Sequence, residues 1–481
     1  MIETIQRLEA AARALEPDPA QRGAWLDAVR AYAEGFLDEL EVLPTYTRDA
    51  GQSSKLDLSI TERPGRLGAL LENLHETVDG PGINPASGGH LGYIPGGGVF
   101  PSALGDFLAD VTNRFSGISF ASPGAARMES GLVRWMAGLV GYPEGAGGDL
   151  TSGGSIANLS AVVTAREAME IRARDIPDAC VYMTSQAHHC VDRALNVAGL
   201  GECRLRRVPV DDRYRMDAGA LERSIGSDRR AGLRPWLIVA SAGTTDTGAV
   251  DPLEALAAIA ERERLWLHLD AAYGGFFMLC EEGRAVLKGL QRSDSMVMDP
   301  HKGLFLPYGT GAVLVRDVRL LAAAHAYQAD YMQDARGGAG AAEYSPADLS
   351  AELSRPFRGL RLWLPLKLFG LAAFRAALAE KIWLARYFHA RLSELDGFEP
   401  GPTPELSVVT YRYVPKRGDA DAFNRALLQA VHDDGHIFVS STRLDGHFTL
   451  RLAVLNFRTH RAEIDYLLDL LVREAARLAA A

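Results

Sequence analysis

The chain has 481 residues, a hydrophobic share of 47% and a formal net charge of −10 at pH 7. This length exceeds what one hydrophobic core usually supports, so we expect two or three domains. Basic residues are scattered among acidic ones and form no stripe interleaved with aromatic residues, which argues against nucleic acid or an anionic membrane surface as partners. The chain opens without a basic segment followed by an apolar run, and no run of about 18 uncharged apolar residues occurs. We therefore expect a cytoplasmic protein.

The chain contains four cysteines, namely Cys180, Cys190, Cys203 and Cys280. Their spacing matches neither a CxxC pair nor a zinc site with histidine ligands. We expect reduced thiols, with no disulfide bond and no bound metal.

Three segments follow one another along the chain. Residues 1–78 carry apolar side chains at helical spacing but no obvious core of their own, which predicts an N-terminal helical arm. A stretch rich in glycine and proline then marks a boundary or a functional loop. Residues 79–375 are predicted to form a large α/β domain, and residues 376–481 a small C-terminal α+β domain that opens with a long helix.

The large domain alternates helical segments with short, almost uniformly apolar ones, which are "ACVYM", "PWLIVAS", "LWLHLD", "SMVMD" and "GAVLVRD". Strands that are buried on both faces have this composition. Alternating strands and helices predict a mostly parallel central sheet with helices on both faces. Between two of these strands, Asp251 is the predicted N-cap of a helix whose first residue is Pro252.

Polar residues follow the strands at the points where they end. They are His188, Thr244, Thr245, Asp270, Asp299, His301 and Lys302. The carboxyl ends of parallel strands meet at one edge of a sheet, where open α/β sheets bind ligands. Upstream, Gly153, Gly154 and Ser155 precede a helical pattern, so free backbone N–H groups and the helix dipole would suit a phosphate. Taken alone, this pattern also fits simple capping of the helix by Ser155.

A phosphate site, an aspartate and a lysine together suggest pyridoxal phosphate, which needs a lysine for covalent attachment and an acidic partner for its ring nitrogen. Lys302 would attach the cofactor, and partial desolvation would favour its neutral amine. Asp270 would keep the ring nitrogen protonated, and the small Ala272 would leave room for the ring. His188 is favoured over His189 as the group that stacks on the ring. Taken singly, a strand-end lysine is more often a solvated surface charge and an aspartate a turn residue.

The segments "SQAHHCVDRALNVAGLG", "ASAGTTDTGAVDPL", "WLHLDAAYGG" and "DPHKG" resemble, in this order, the group II pyridoxal-phosphate-dependent amino acid decarboxylases, and the aromatic amino acid decarboxylases in particular. The resemblance implies the PLP-dependent transferase fold type I, like that of aspartate aminotransferase. It also implies a homodimer in which the helical arm packs across the dimer and the active sites lie at the interface.

Roles follow from the resemblance position by position. The resemblance implies the same roles as those given above for Lys302, Asp270, His188 and Ala272. Gly154, Ser155 and His301 would contact the phosphate, Thr245 would lie near the 3-hydroxyl side of the ring, and Asp299 near the phosphate edge. The family also carries a loop tyrosine that protonates the substrate carbon after carbon dioxide leaves, and Tyr331 stands at the matching place. Tyr327 and Tyr344 are rival donors, and a surface loop without catalytic function is the alternative.

Two segments resemble the substrate wall of the family. The first, "GHLGYIPGGGVF", supplies Tyr93, Ile94 and Pro95 and contains no Arg or Lys, which disfavours substrates with an acidic side chain. Its three successive glycines would enlarge the pocket or loosen the loop. The second, "RFSGISFAS", supplies Ile118 and Phe120, which in this family come from the neighbouring subunit. We expect an aromatic L-amino acid (of the tyrosine, tryptophan, phenylalanine or DOPA type) or a large apolar one such as methionine or leucine.

Other reactions on the same fold stay open at this point. A decarboxylating aldehyde synthase shares the cofactor residues but usually lacks the loop tyrosine. An aminotransferase would need an arginine for the substrate α-carboxylate, and Arg451 in "FTLRLAV" is a candidate, although strand arginines more often form structural ion pairs. A binding protein without catalytic function would be expected to have lost Lys302 or Asp270, and both are present.

Overall fold

The computed structural model describes residues 1–326 and 344–480. The helices are α1 (Ile2–Ala12), α2 (Pro19–Asp38), α3 (Leu67–Leu74), α4 (Phe100–Thr112), α5 (Pro123–Leu139), α6 (Gly154–Ala168), α7 (Cys190–Val197), α8 (Ala218–Arg230), α9 (Leu253–Glu263), α10 (Glu281–Val286), α11 (Pro300–Gly303), α12 (Val318–His325), α13 (Gly359–Ser393), α14 (Ala420–Asp434) and α15 (Arg461–Ala480). The strands are β1 (Tyr46–Thr47), β2 (Gly82–Ile83), β3 (His90–Leu91), β4 (Gly147–Thr151), β5 (Ala179–Met183), β6 (Arg204–Arg207), β7 (Arg234–Ser241), β8 (Trp266–Asp270), β9 (Ser295–Met298), β10 (Gly311–Val315), β11 (Phe398–Pro400), β12 (Val408–Tyr413), β13 (Phe438–Leu444) and β14 (His447–Ala453).

The central sheet has seven strands in the order β4-β10-β9-β8-β7-β5-β6. Its strands from β9 to β6 are parallel, whereas β10 runs antiparallel to both β9 and β4. Strands β5, β8, β9 and β10 are buried along their whole length, which explains their uniformly apolar sequences. The predicted mostly parallel sheet is confirmed.

Helices cover both faces of this sheet. On β9, Met296 and Met298 belong to one buried cluster, while Val297 between them belongs to a second cluster on the other face. This alternation follows from the two-residue period of a strand. The sheet is therefore held between two apolar layers.

A second sheet of five strands, in the order β11-β12-β14-β13-β3, lies with α14 and α15 around a third buried cluster. The last strand in this order, β3, pairs in parallel with β13 through His90 and Leu91. The chain just before the predicted substrate wall is thereby part of the small sheet. Helix α13 crosses the predicted boundary at residue 375, and the two domain boundaries stay predictions.

Within the described ranges, α13 is the helix long and apolar enough to span a membrane by length and composition. Gly370 interrupts it with φ 69° and ψ 165°. The helix packs against α4 and α5, and it buries side chains such as Leu378 and Ile382 in the main core. One such helix is weak evidence for a membrane span, since core helices of other proteins meet the same length and composition criterion.

The predicted capping role of Asp251 is wrong. Helix α9 starts at Leu253, after Pro252, and no side chain caps it. The buried Asp251 carboxylate instead accepts the N–H groups of Ser241 and Met216, both at 2.7 Å. Burial raises its pKa to about 6. Two backbone donors from outside the helix occupy this carboxylate, so it ties the end of β7 to a neighbouring loop.

Candidate active site

The carboxyl ends of β5, β7, β8 and β9 open into a cavity of about 260 Å³. The residues around it include every predicted cofactor-binding residue, namely Gly154, Ser155, His188, Thr245, Asp270, Ala272, Asp299, His301 and Lys302. They come from positions up to about 150 residues apart, and the parallel strands bring them together as expected.

The start of α6 forms one wall of the cavity. Gly153 precedes the helix and no side chain caps it, so Ser155 is not the capping group. The first N–H groups of a helix have no acceptor within the helix, which makes them available to an anion. A Cβ atom at Gly154 would lie 2.8 Å from Asp299 Oδ2, so this approach of α6 to Asp299 excludes a side chain.

Lys302 forms an ion pair inside the cavity. Its Nζ lies 3.0 Å from Asp299 Oδ2, and the two side chains are 24% and 1% exposed. Burial alone would lower the pKa of Lys302, but Asp299 and Asp270 outweigh burial and raise this pKa above its ordinary value. Desolvation thus favours the neutral amine as expected, but the two carboxylates outweigh it in the chain by itself. The other oxygen, Asp299 Oδ1, is buried without a partner among the described residues.

Asp270 ends strand β8 and is buried at the edge of the sheet. Its Oδ1 accepts the N–H of Ala272 at 3.2 Å. Two residues earlier on the same side of the strand, His268 lies behind it in the core. Burial lowers the pKa of His268 to about 4, so this imidazole is neutral at pH 7.

The neutral His268 belongs to a buried chain of hydrogen bonds that supports the cavity. Its Nδ1 lies 2.8 Å from Ser295 Oγ, and its Nε2 lies 2.8 Å from Asn158 Oδ1. Asn158 Nδ2 in turn donates to the carbonyl of Gly154 at 2.9 Å. Sequence analysis missed both His268 and Asn158. The one available signal was the position of Asn158, four residues after Gly154 and therefore one helical turn along the same face.

His188 and His189 occupy different environments. His188 is half-buried and lines the cavity, and its Nδ1 accepts the N–H of Cys190 at 3.2 Å. Burial is the main cause that lowers the pKa of His188, although Asp270 opposes it. His189 is exposed and does not line the cavity. Of the two, only His188 presents an imidazole to the cavity.

His301 and the turn after β7 complete the cavity. Nδ1 of His301 donates to the carbonyl of Thr310 at 2.6 Å, and burial lowers its pKa. In the turn, the Thr244 N–H donates to the Ala249 carbonyl at 2.9 Å, and the hydroxyls of Thr244 and Thr247 lie 2.7 Å apart. These bonds fix the backbone that presents Thr245 to the cavity. Thr244, which was expected at this edge of the sheet, also lines the cavity, as does Tyr273, which was not predicted.

The predicted substrate wall lies outside the cofactor cavity in the single chain. None of Tyr93, Ile94, Pro95, Ile118 and Phe120 lines the cavity of the single chain. Ile94 and Pro95 are buried and Ile118 is half-buried, while Tyr93 and Phe120 are each 59% exposed.

The three glycines after the wall segment do not loosen it. A Cβ atom at Gly96 would overlap the backbone carbonyl of His301, and one at Gly97, where φ is 91°, would overlap Asn456. The Val99 N–H donates to the Phe305 carbonyl at 2.7 Å. The glycines therefore let the wall segment pack directly against the lysine segment.

The predicted proton donor lies outside the described residues, as does its rival Tyr327. The other rival, Tyr344, lines a separate cavity with Trp266 and Arg316, away from Lys302. Tyr331 thus stays the predicted donor.

The cavity fits pyridoxal phosphate on its own features. It offers a lysine beside a carboxylate, a second buried carboxylate at the end of β8, and a helix start that no side chain caps. A lysine amine, an acidic group for the ring nitrogen and an anion site are the three things this cofactor requires of a protein.

Comparison with known proteins agrees with this fit. The pyridoxal-dependent decarboxylase conserved domain matches residues 49–414. The aromatic-L-amino-acid decarboxylase of Bacillus atrophaeus is 35% identical over 415 residues, which cover 85% of this chain and 86% of that protein. A phenylacetaldehyde synthase of Arabidopsis thaliana is 29% identical, covering 82% of this chain and 83% of that protein.

The fold is likewise shared with solved structures. The crystal structure of Oryza sativa TDC with PLP and tryptamine superposes with a TM-score of 0.90 at 25% identity, covering 96% of this chain and 99% of that one. This similarity confirms the predicted fold type I. The chain belongs to the pyridoxal-dependent decarboxylase family, and it is a carboxy-lyase whose cofactor is pyridoxal phosphate.

Proposed function

We propose that the protein decarboxylates an aromatic L-amino acid to the corresponding amine and carbon dioxide. The observation that carries this proposal is that no arginine lines the cavity within the part of the chain that the structure describes. Arg451, the candidate ligand for an α-carboxylate, donates instead to the Asp246 carbonyl and to Ser440 Oγ. The arginine that transamination would need for the α-carboxylate is therefore engaged elsewhere, which favours decarboxylation over transamination.

When bound, pyridoxal phosphate supplies an electron sink for the pair released as the bond between Cα and the carboxylate breaks. We assign covalent attachment of the cofactor to Lys302. Because Lys302 is paired with Asp299, its amine must give up a proton before it can attack, and Asp299 Oδ2 at 3.0 Å is placed to accept it. Asp270 would hold a proton at the ring nitrogen of the bound cofactor, and His188 would stack on its ring.

The remaining roles concern binding and protonation. The phosphate contacts are assigned to Gly154, Ser155 and His301, the 3-hydroxyl side to Thr245, and space for the ring to Ala272. Tyr331 is proposed to protonate the substrate carbon after carbon dioxide leaves.

Two features support an aromatic substrate. The wall segment around Tyr93 and Pro95 carries no cation, so an acidic substrate side chain would be buried without a partner. The Bacillus relative described above is an aromatic-L-amino-acid decarboxylase. A large apolar amino acid such as methionine or leucine is the second choice.

We also propose a homodimer. On one face of α4 the apolar side chains Leu104, Phe107, Leu108 and Val111 follow helical spacing and are 41–66% exposed. In the arm, Trp25 and Leu26 are exposed as well. A second copy of the chain would remove these surfaces from water and carry Ile118 and Phe120 to the neighbouring active site.

Complementation between two inactive variants tests the shared site. Phe120→Asp and Lys302→Ala would each be inactive alone, whereas a mixed dimer contains one site with both native residues. After random exchange of subunits, half of the dimers are mixed and half of their sites are intact, so about a quarter of the native activity should return. No recovery in a mixture that shows mixed dimers by native mass spectrometry would contradict a shared site.

The reaction itself is tested by incubating the holoenzyme with each of the twenty amino acids. We expect release of carbon dioxide from one or more aromatic substrates, with an equal amount of amine. The phenylacetaldehyde synthase relative makes aldehyde formation the second candidate, and aldehyde with peroxide and ammonia would establish it. Amino-group transfer to a 2-oxo acid without carbon dioxide would overturn both. Tyr331→Phe should shift the product from amine towards aldehyde, since it removes the proposed proton donor.

A further inference from the structure

We propose that Arg451 is a positioning residue that ties the substrate-wall backbone at Tyr93 to the cofactor-side turn formed by residues 244–249. One side chain of the small domain would thereby set the geometry of both ends of the active site. The part of the proposal that concerns Tyr93 rests on the proposed function. The part that concerns the turn formed by residues 244–249 rests on the cofactor site alone.

Arg451 lies where the two domains meet. It is 3% exposed and sits in β14 between Leu450 and Leu452, which pack into the small-domain core. The next residue on the same side as Arg451, Ala453, packs into the core of the large domain. The guanidinium therefore faces the large domain.

The charge of the Asp246 carboxylate offsets the burial of this cation only in part. Arg451 Nη2 has no hydrogen-bond partner among residues 1–326 and 344–480. Burial lowers its pKa to about 10, which leaves the side chain charged at pH 7. Burying a cation with one unpartnered nitrogen costs stability that an apolar side chain at this place would not cost. We infer that the two hydrogen bonds of Arg451 compensate for this cost by fixing backbone positions that the reaction needs.

The first of these bonds reaches the substrate wall. Arg451 Nη1 donates to Ser440 Oγ at 3.0 Å, and the same oxygen accepts the Tyr93 N–H at 3.3 Å. Tyr93 has φ 53°, a left-handed conformation that is uncommon for a residue with a side chain. Its neighbour Gly92 packs so closely on Phe438 that a Cβ atom would overlap the ring. Ser440, held by Arg451, is thus an anchor for a strained backbone.

The second bond reaches the cofactor-side turn. Arg451 Nε donates to the Asp246 carbonyl at 3.2 Å. Thr244 and Thr245, the two residues before Asp246, both line the cavity. A shift of the Asp246 carbonyl would therefore move the residues assigned to the 3-hydroxyl side of the cofactor.

The test measures the two ends separately. Cofactor dissociation is followed by titrating pyridoxal phosphate into the cofactor-free protein, and KM is measured with the best substrate of the panel. Arg451→Gln should weaken cofactor binding and raise KM, each about tenfold, as expected for the loss of a buried hydrogen bond to a charged group. Ser440→Ala should raise KM but change cofactor affinity less than about twofold, since it leaves the bond to Asp246 in place.

Two further variants complete the design. Because Ser440 acts on Tyr93 together with Arg451, the double variant should raise KM no more than Arg451→Gln alone. Arg443→Gln is the matched control, since Arg443 is an exposed arginine of the adjacent strand β13 and should change neither constant. If Arg451→Gln does not fold, Arg451→Lys keeps the charge but loses the forked geometry, and should weaken both constants in the same direction.

Several outcomes would overturn the proposal. The proposal is contradicted if Arg451→Gln keeps the native cofactor affinity and the native KM. A lower unfolding temperature of this variant with both of these constants unchanged would contradict it as well. Equal effects of Ser440→Ala on the two constants would contradict the assignment of the two bonds. Failure of the wild-type protein to decarboxylate any amino acid would instead overturn the proposed function, while the cofactor titration would still test the bridge to Asp246.

Discussion

The two ends of the active site are built in different ways. At the cofactor end, Asp299 and Asp270 are 1% and 9% exposed and lie at the ends of buried strands. At the proposed substrate end, Tyr93 and Phe120 are each 59% exposed and do not line the cofactor cavity. The difference teaches that one chain's own core is enough to assemble the predicted cofactor-binding groups, whereas the predicted substrate wall stays partly exposed in the single chain.

The largest effect on activity is expected at the cofactor end. Asp270→Asn should lower kcat by roughly 10²–10⁴-fold, because the ring nitrogen loses the acid that keeps it protonated. Asp294→Asn is a matched control, since Asp294 is a carboxylate at the opposite end of the same sheet whose Oδ2 accepts the Leu267 N–H. Steady-state kinetics of both variants checks this. A loss below about tenfold for Asp270→Asn would mean that this group is not the ring partner.

The stability of the cofactor end depends on a buried ion cluster. Arg355 contacts the carboxylates of Asp149 and Glu129, and all three side chains are at most 3% exposed. Asp149 lies in β4, the strand that leads into Gly153. Arg355→Met would leave two buried carboxylates unpaired and should lower the unfolding free energy by about 3–5 kcal/mol.

The control for this prediction is a surface pair. Arg319→Met breaks the pair of Arg319 with Asp317, whose side chains are 79% and 34% exposed, and should cost at most about 1 kcal/mol. Urea denaturation of the two variants compares them. Equal losses would show that the cofactor end is no more firmly held than the surface.

A pH dependence of stability is expected at both ends, because each contains a buried histidine. Burial lowers the pKa of His268 at the cofactor end, and of His90 near the substrate wall, from 6.5 to about 4. The unfolded chain binds the proton more readily, so this stability is fully present above pH 6.5 and is lost as pH falls towards 4. At pH 5 each histidine should cost about 2 kcal/mol of unfolding free energy relative to pH 7.

His90→Phe separates the two contributions. The ring of His90 already packs against Phe438, with centroids 5.9 Å apart, so phenylalanine suits the site. Denaturant titrations at pH 7 and pH 5 should show a smaller loss on acidification for this variant than for the native protein. If the unfolding free energy lost between pH 7 and pH 5 is the same in both proteins, His90 does not contribute to the pH dependence.

The smallest effect is expected at the substrate end. Phe120→Ala should raise KM about tenfold through lost apolar contact, with cofactor affinity unchanged. Ile2→Ala in α1 is a control, since Ile2 is an exposed apolar residue of the arm outside the proposed wall. Native KM for Phe120→Ala would remove Phe120 from the substrate site.

The cofactor end could be predicted from the sequence because its residues follow directly after apolar strands. His188, Asp270 and Lys302 needed no knowledge of tertiary contacts beyond the rule that parallel strands end together. His268 and Asn158 could not be found in this way. Each lies inside a regular element, and their contact joins residues that are 110 positions apart.

The charge of Lys302 and the purpose of Gly96 were also beyond the sequence. The first depends on Asp299, which the turn into α11 brings within 3.0 Å and whose attraction exceeds the effect of burial. The second depends on a backbone carbonyl more than 200 positions away, that of His301. Contacts of this kind within one chain follow no local pattern in the sequence. Contacts with a second chain follow no such pattern either.

The central claim is that Lys302 attaches the cofactor, and chemical mapping tests it most directly. Holoenzyme reduced with borohydride, digested and analysed by mass spectrometry should yield one labelled peptide, with the pyridoxyl group on Lys302. Lys302→Ala, treated in the same way, should show no label. A label on another lysine, or a label that persists in Lys302→Ala, would contradict the account.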